Sequence, residues 1–312
     1  MTISADLSET QAPVETPVPG MDPVAVRRWA QRPHAHSAWL HEEVGARMAQ
    51  RLGWIKATPD RWLSWEPVHG GLQAHRAVAA HYPKSNAVVH ASRPGLALAA
   101  LKDLAPEASG LWGRWRYTPP QLADAASEVD MVWANMALHL THLPQTLLKR
   151  WHRALRVNGF LMFSCLGPDS LKELRNAYGL MDWPAPAHGF TDMHDWGDML
   201  VQAGFAEPVM DMERITLSYS SVVALLADLR AWGRNLSTQR SPVTRGKSWQ
   251  GGLLASLESR MPRTDDGRLP LTFEVIYGHA HKGQPRVPIG PTSAVSLQDM
   301  KQMLGVATSR VR

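Results

Sequence analysis

Cysteine is all but missing from this chain: Cys165 is the only one in 312 residues. A single thiol excludes an intrachain disulfide and gives no reason to expect an oxidising compartment. No apolar run approaches the roughly 20 residues that a membrane span needs. The first twenty residues, rich in Thr, Pro, Glu and Ala, have neither the basic start nor the apolar centre of a signal peptide. They read as a disordered leader, and the chain as a soluble, cytoplasmic protein without a membrane partner. Phe and Tyr are scarce, 5 of each against 13 Trp, so indoles must carry most of the aromatic burial in core and rim. A basic tract is lacking too. The net charge is +5, but Lys and Arg are scattered, which argues against nucleic acid as a partner. The nearest approach to a cluster, Arg230 to Lys247 with Trp232 and Trp249, reads as the solvated side of a helix pair and its loop.

What is present is clearest between Val129 and Arg175. MVWAN is a short apolar run, and after it Leu147, Leu148, Trp151 and Leu155 recur at helical spacing with Lys149, Arg150 and Arg153 between them. Asn158-Gly159 is read as the stop of that helix. FLMFSCL then runs apolar on both faces, as a central strand covered on both sides does, and Gly167-Pro168 ends it. Ser170 with Glu173 three residues on has the form of a capping box. Strand, helix, strand and helix start in that order mean a parallel sheet, with a ligand cleft at the strand ends.

The rest of the chain extends this pattern. Leu40, Val44, Met48 and Leu52 predict a helix over 37–53. RWLSW at 61–65 is the first strand, GLQAHRAVAAHY the first crossover helix, NAVVHA the second strand, GLALAALKDL the second helix and LWGRWRY a weakly patterned third strand. A helix from Met193 to Ala203 stops at Gly204. Met210 to Tyr219 and Leu271 to His281 read as an antiparallel pair. Between them lie two helices, Val222 to Trp232 and Ser248 to Ser259. The tail from Gln284 is rich in Pro and Gly.

The segments VDMVWANMALHL, RALRVNGFLMFS, LGPDSLKELR, HGFTDMHDWGDMLVQAGF and LPLTFEVIYGHAHK carry a specific likeness. The chain resembles the class I S-adenosylmethionine-dependent methyltransferases, most closely those of the biotin pathway that methylate the free carboxyl of malonyl-acyl carrier protein, and also the related mitochondrial complex I assembly factor. The likeness spans roughly 110 to 290 well and 24 to 110 poorly. It implies a Rossmann-like α/β domain over 21–283, its mostly parallel seven-stranded sheet covered by helices on both faces. It also implies an inserted helical lid at about 220–262, then a tail over 284–312. An acidic acyl carrier protein would be the partner, with the basic segment at 230–247 as a candidate docking face.

A cofactor site of this kind needs a glycine-rich turn after the first strand, an acid ending the second that accepts hydrogen bonds from ribose hydroxyls, and a polar group after the third. The chain departs from all three. Its first turn reads Ser64, Trp65, Glu66, Pro67, Val68, His69, Gly70; the second strand ends in Ala91 and Ser92; and no acid lies between Glu107 and Asp124. Two readings follow. In one the cofactor is held differently, with Glu66 on its ammonium group, Gly70 and Gly71 widening the turn, Ser92 donating to the ribose and Asn135 at the fourth strand. In the other the site no longer binds it, and the protein is a catalytically inactive assembly or regulatory factor.

An active enzyme needs no general base, because a malonyl carboxylate is already ionised at neutral pH. It needs a cation, and Arg175 is the first candidate, with Arg230 or Arg234 behind it. His139, just past the fourth strand, is the second catalytic candidate, against the plainer reading of a loop histidine satisfied by backbone. His34, His36 and His41, and His279 with His281, complete no recognisable metal spacing, so no metal is expected. Cys165 reads as a small core residue.

Overall fold

A computed structural model describes residues 17–33, 36–103, 121–123, 128–241 and 246–284. Seven strands form one sheet in the order β3-β2-β1-β4-β5-β7-β6. They are β1 (Arg61–Trp65), β2 (Asn86–His90), β3 (Gln121–Leu122), β4 (Val129–Ala134), β5 (Leu155–Leu166), β6 (Phe205–Tyr219) and β7 (Leu269–Lys282). All neighbours run parallel except β7, which is antiparallel to both β5 and β6. The sheet class, the strands at 61–65 and 86–90 and the antiparallel pair all match the sequence expectation. The expected third strand at 111–117 lies outside the described residues; the third strand seen is the two-residue β3.

Strand alternation sorts the core into two layers. Trp62, Met131 and Phe160 point to one face, where they meet α2 (Trp39–Arg51), α4 (Leu72–His81), α7 (Lys172–Gly179) and the helix pair α9 (Val222–Trp232) and α10 (Lys247–Arg260). Their neighbours Leu63, Val132 and Leu161 point to the other, against Leu148 and Trp151 of α6 (Pro144–Ala154) and Trp196 and Leu200 of α8 (Met193–Gln202). Cys165 is fully buried in this second layer, and burial pushes its thiol pKa up. A short helical turn, α3 (Pro67–Gly70), precedes α4, and α5 (Pro94–Asp103) follows β2.

The N-terminal helix α1 (Pro23–Ala30) is clasped to the segment between α9 and α10. Met21 bridges to Ser237, Asp22 pairs with Arg240 at 2.6 Å, and Met21, Trp29 and Leu236 bury one another. Residues 17–20 of the expected leader are placed, the Val18 N–H donating to the His142 carbonyl at 2.9 Å.

Two local expectations are corrected. The helix before β5 ends at Ala154, not at Asn158-Gly159; those residues lie inside β5, where Asn158 takes a φ of 66° and the register with β4 shifts. The Ser170–Glu173 capping box does not form, because β7 claims both side chains. Ser170 Oγ bonds the backbone of Glu274, and Glu173 accepts from Thr272 N at 2.9 Å and Thr272 Oγ1 at 2.5 Å.

Candidate active site

Strand order reverses between β1 and β4, and in open α/β sheets the ligand cleft opens beyond the strand ends at that point. Glu66 leaves β1 with a φ of 47°, in the left-handed region that a residue with a Cβ seldom adopts. Its N–H donates to the His90 carbonyl at 2.7 Å, tying the turn to the end of β2. The carboxylate follows: Oε1 accepts from Ser92 N at 2.6 Å and Ser92 Oγ at 2.5 Å. The second strand supplies no acid of its own, yet an acid stands at its end. Burial pushes the Glu66 pKa up, while the Ser92 bonds and the nearby Arg150 oppose the shift. Arg150 lies 4.8 Å over the Trp65 ring and bonds His90 Nδ1 at 3.3 Å, and Trp65 stacks on His90 at 4.0 Å. Glu66, Ser92, Trp29, Trp65 and Asn135 help to line a cavity of about 180 Å³.

Gly70 and Gly71 sit where the sequence puts them, but the turn is filled from within. Gly71 has a φ of 115°, and a Cβ there would lie 2.8 Å from Glu42 Oε2. The first N–H groups of α4 are already satisfied: Leu72 N by Ser37 Oγ at 2.8 Å, Gln73 N and Ala74 N by the two Glu42 oxygens at 3.1 and 3.0 Å. The sequence reading missed Ser37 and Glu42, and no local signal marks a pairing across 31 residues. Asn135 is buried and committed. Its amide donates to the carbonyls of His41 and Gly70, and its Oδ1 accepts from Ser164 Oγ at 2.6 Å. Asp130, in the same strand motif, anchors the start of β1 by accepting from Asp60 N and Arg61 N.

A second, mainly apolar cavity of about 200 Å³ lies beneath α9, walled by leucines of β5 and α7 together with Tyr178, Phe190 and Phe273. His41, His139, His188, Arg230 and Arg234 bring polar groups to its lining. His188 Nε2 bonds the His139 carbonyl at 3.0 Å, and the Nδ1 of each has no partner among the described residues. Burial drives the His139 pKa well down and that of His188 down also, so both rings are neutral at neutral pH. Arg175 stands behind the wall: Nε donates to the Ser170 carbonyl at 3.1 Å, Nη2 to the His188 carbonyl at 2.8 Å, and the guanidinium lies 5.3 Å from the Phe190 ring. Arg234 donates to the carbonyls of Arg230 and Gly233 and lies 5.5 Å over Trp29. The Arg230 guanidinium makes no hydrogen bond or ion pair among the described residues. His188 was missed in the sequence, in the connection APAHGF; only its pairing across the cavity sets it apart.

Met136 and Leu140, in the loop after β4, line both cavities. Met136 holds a φ of 52°, a second non-glycine residue in the left-handed region at this strand-end surface. Among the described residues no three His, Cys, Asp or Glu side chains gather as a metal site, and no helix is long and apolar enough to cross a membrane.

This mostly parallel seven-stranded sheet, with helices on both faces, is the architecture of the class I methyltransferases. A proposed methyltransferase from Bacillus halodurans C-125 superposes with a TM-score of 0.51 at 14% identity, over 77% of this chain and 100% of that one. The YcgJ protein from Bacillus subtilis superposes with a TM-score of 0.51 at 10% identity, over 78% and 99%. No family model matches. Curated relatives do: the malonyl-acyl-carrier-protein O-methyltransferase of Gallionella capsiferriformans (strain ES-2) is 43% identical over 258 residues, 80% of this chain and 87% of that protein. The enzyme of the same name from Laribacter hongkongensis (strain HLHK9) is 39% identical over 261 residues, 80% and 85%. The chain belongs to the malonyl-acyl-carrier-protein O-methyltransferase family.

Proposed function

We propose that this protein transfers a methyl group from S-adenosylmethionine to the free carboxyl of a malonyl thioester on an acyl carrier protein, as a cytoplasmic enzyme of biotin synthesis. The observation that carries the reading is the pair of cavities sharing Met136 and Leu140 as a common wall. A donor seat and an acceptor seat must adjoin at one point for a direct transfer. The donor cavity suits a nucleoside, with a carboxylate and a hydroxyl at its polar end and indoles beside them. It suits the amino-acid end less well, because Ser37 and Glu42 already hold the first amides of α4. When bound, S-adenosylmethionine supplies an electrophilic methyl group.

The acceptor cavity matches its proposed ligand in size. An apolar cavity of roughly 150 Å³ holds benzene, so about 200 Å³ accepts the few non-hydrogen atoms of a malonyl thioester end. Apolar walls exclude water from the carboxylate, and neutral His139 and His188 compete for no proton. Arg230, which lines the cavity from α9, is the cation proposed to hold the acid, while Arg175 behind the wall fixes the His188 backbone. The test is transfer of labelled methyl to malonyl-acyl carrier protein. Arg230→Met is expected to lower kcat/KM about ten- to a hundredfold, with the free acid affected and an uncharged ester analogue not.

A second reading, a catalytically inactive assembly or regulatory protein, draws on Glu42, whose carboxylate sits on amides that an anionic ligand would use. Calorimetry with S-adenosylhomocysteine separates the two: measurable binding supports the enzyme, and its absence at millimolar ligand supports the inactive protein.

A further inference from the structure

The carboxylate at the end of β2 comes from the wrong strand, and its surroundings say what it is suited to hold. Glu66 is fixed by its backbone bond to His90 and by two Ser92 donors on the same oxygen, Oε1. No hydrogen-bond donor reaches Oε2 among the described residues. A held carboxylate with one open oxygen, beside a hydroxyl that both donates and accepts, is the complement of two adjacent hydroxyl groups.

The charges around Glu66 narrow the choice. Arg150 acts on it directly, and Arg32 and Arg93 share the lining of a small adjoining cavity with it. An ammonium group brought to this carboxylate would face those guanidiniums, whereas a neutral diol meets no such repulsion. Trp29 and Trp65 add flat apolar surface within the same cavity, which suits the ring system of a nucleoside.

We propose that Glu66, with Ser92, binds the vicinal diol of the methyl donor's nucleoside and not its ammonium group, so that a residue of the first turn supplies the acid that the second strand, ending in Ala91 and Ser92, does not. The inference rests on the reading that this cleft takes a nucleoside methyl donor.

The experiment is calorimetric titration of the full chain, wild type and Glu66→Gln, with S-adenosylhomocysteine and with 5′-methylthioadenosine. The second ligand keeps the nucleoside and lacks the ammonium and carboxylate. Glu66→Gln is expected to weaken both ligands by a similar factor of about ten or more, and a 3′-deoxy form of 5′-methylthioadenosine should bind the two proteins nearly alike. Ser92→Ala, which leaves the turn's backbone intact, should weaken both nucleosides together to a smaller extent. Loss confined to S-adenosylhomocysteine assigns Glu66 to the ammonium and overturns the proposal, as does an unchanged affinity for both ligands. If the wild type binds neither, the donor cleft itself is refuted and the proposal falls with it. Because no acceptor is used, failure of malonyl methylation alone would sink the proposed reaction and leave this assignment standing.

Discussion

Asn135 lines the cavity beside Glu66 and yet commits its whole side chain to architecture. Its amide holds the carbonyls of His41 and Gly70, and its oxygen takes the Ser164 hydroxyl. Asn135→Ala strands three buried polar groups, so we expect a loss of about 2–4 kcal/mol in urea unfolding even without ligand. Glu66 behaves oppositely. Its native pKa is raised by burial, so the unfolded chain gives up this proton at lower pH than the folded one. Below the ordinary carboxylate range the residue is stability-neutral. As pH climbs from that range through the raised native value, ionisation favours the unfolded state, and above that value the full cost is present. Glu66→Gln should therefore raise Tm at pH 7, and the gain should vanish near pH 3.5; a constant difference across that window would contradict the assigned shift.

At the scale of elements, α2 and α4 form one unit. Glu42 caps α4 from α2, and Gly45 lets the two helices touch. A Cβ at Gly45 would strike Ala74 Cβ and lie 2.9 Å from Asn135 Nδ2. Helix propensity alone would credit Gly45→Ala with about 1 kcal/mol, but overpacking costs about 1–3 kcal/mol, and we expect net destabilisation in chemical denaturation. Glu42→Ala should cost about 1–2 kcal/mol, with Glu42→Gln recovering part of it as a neutral acceptor. These contacts also mark where the sequence stopped being legible. The strand at 61–65, the helix at 222–232 and the apolar faces of α2 and α6 follow from local periodicity, which is written in consecutive residues. Glu42 on α4, Ser170 and Glu173 on β7, and Glu66 on Ser92 are partnerships across 26 to 104 residues that no window reveals. Glu66 itself was visible as the lone acid of the first turn; the strand end it serves was not.

Across the whole molecule, burial leaves histidines that resist protonation. His75, His90 and His279 fall to about 4 from an ordinary 6.5, and His139, His152 and His188 are lowered as well. The unfolded chain takes these protons up near pH 6.5 and the folded chain only below it, so stability present above 6.5 drains as pH falls toward 4. Each proton of difference is worth about 1.4 kcal/mol per pH unit. Thermal unfolding should show Tm nearly level from pH 8 to 7 and falling steeply from 6.5 to 4.5, and His75→Asn should flatten part of that slope.

The wall at Met136 and Leu140 belongs to two cavities at once. A ligand that presses on Met136 from one side alters the shape offered on the other, and thermodynamics then requires symmetry. Whatever factor S-adenosylhomocysteine applies to the affinity for a malonyl thioester, the thioester must return to S-adenosylhomocysteine. Trimming the shared wall with Met136→Ala should bring both factors toward one together, making this loop the place where each ligand registers the other's arrival.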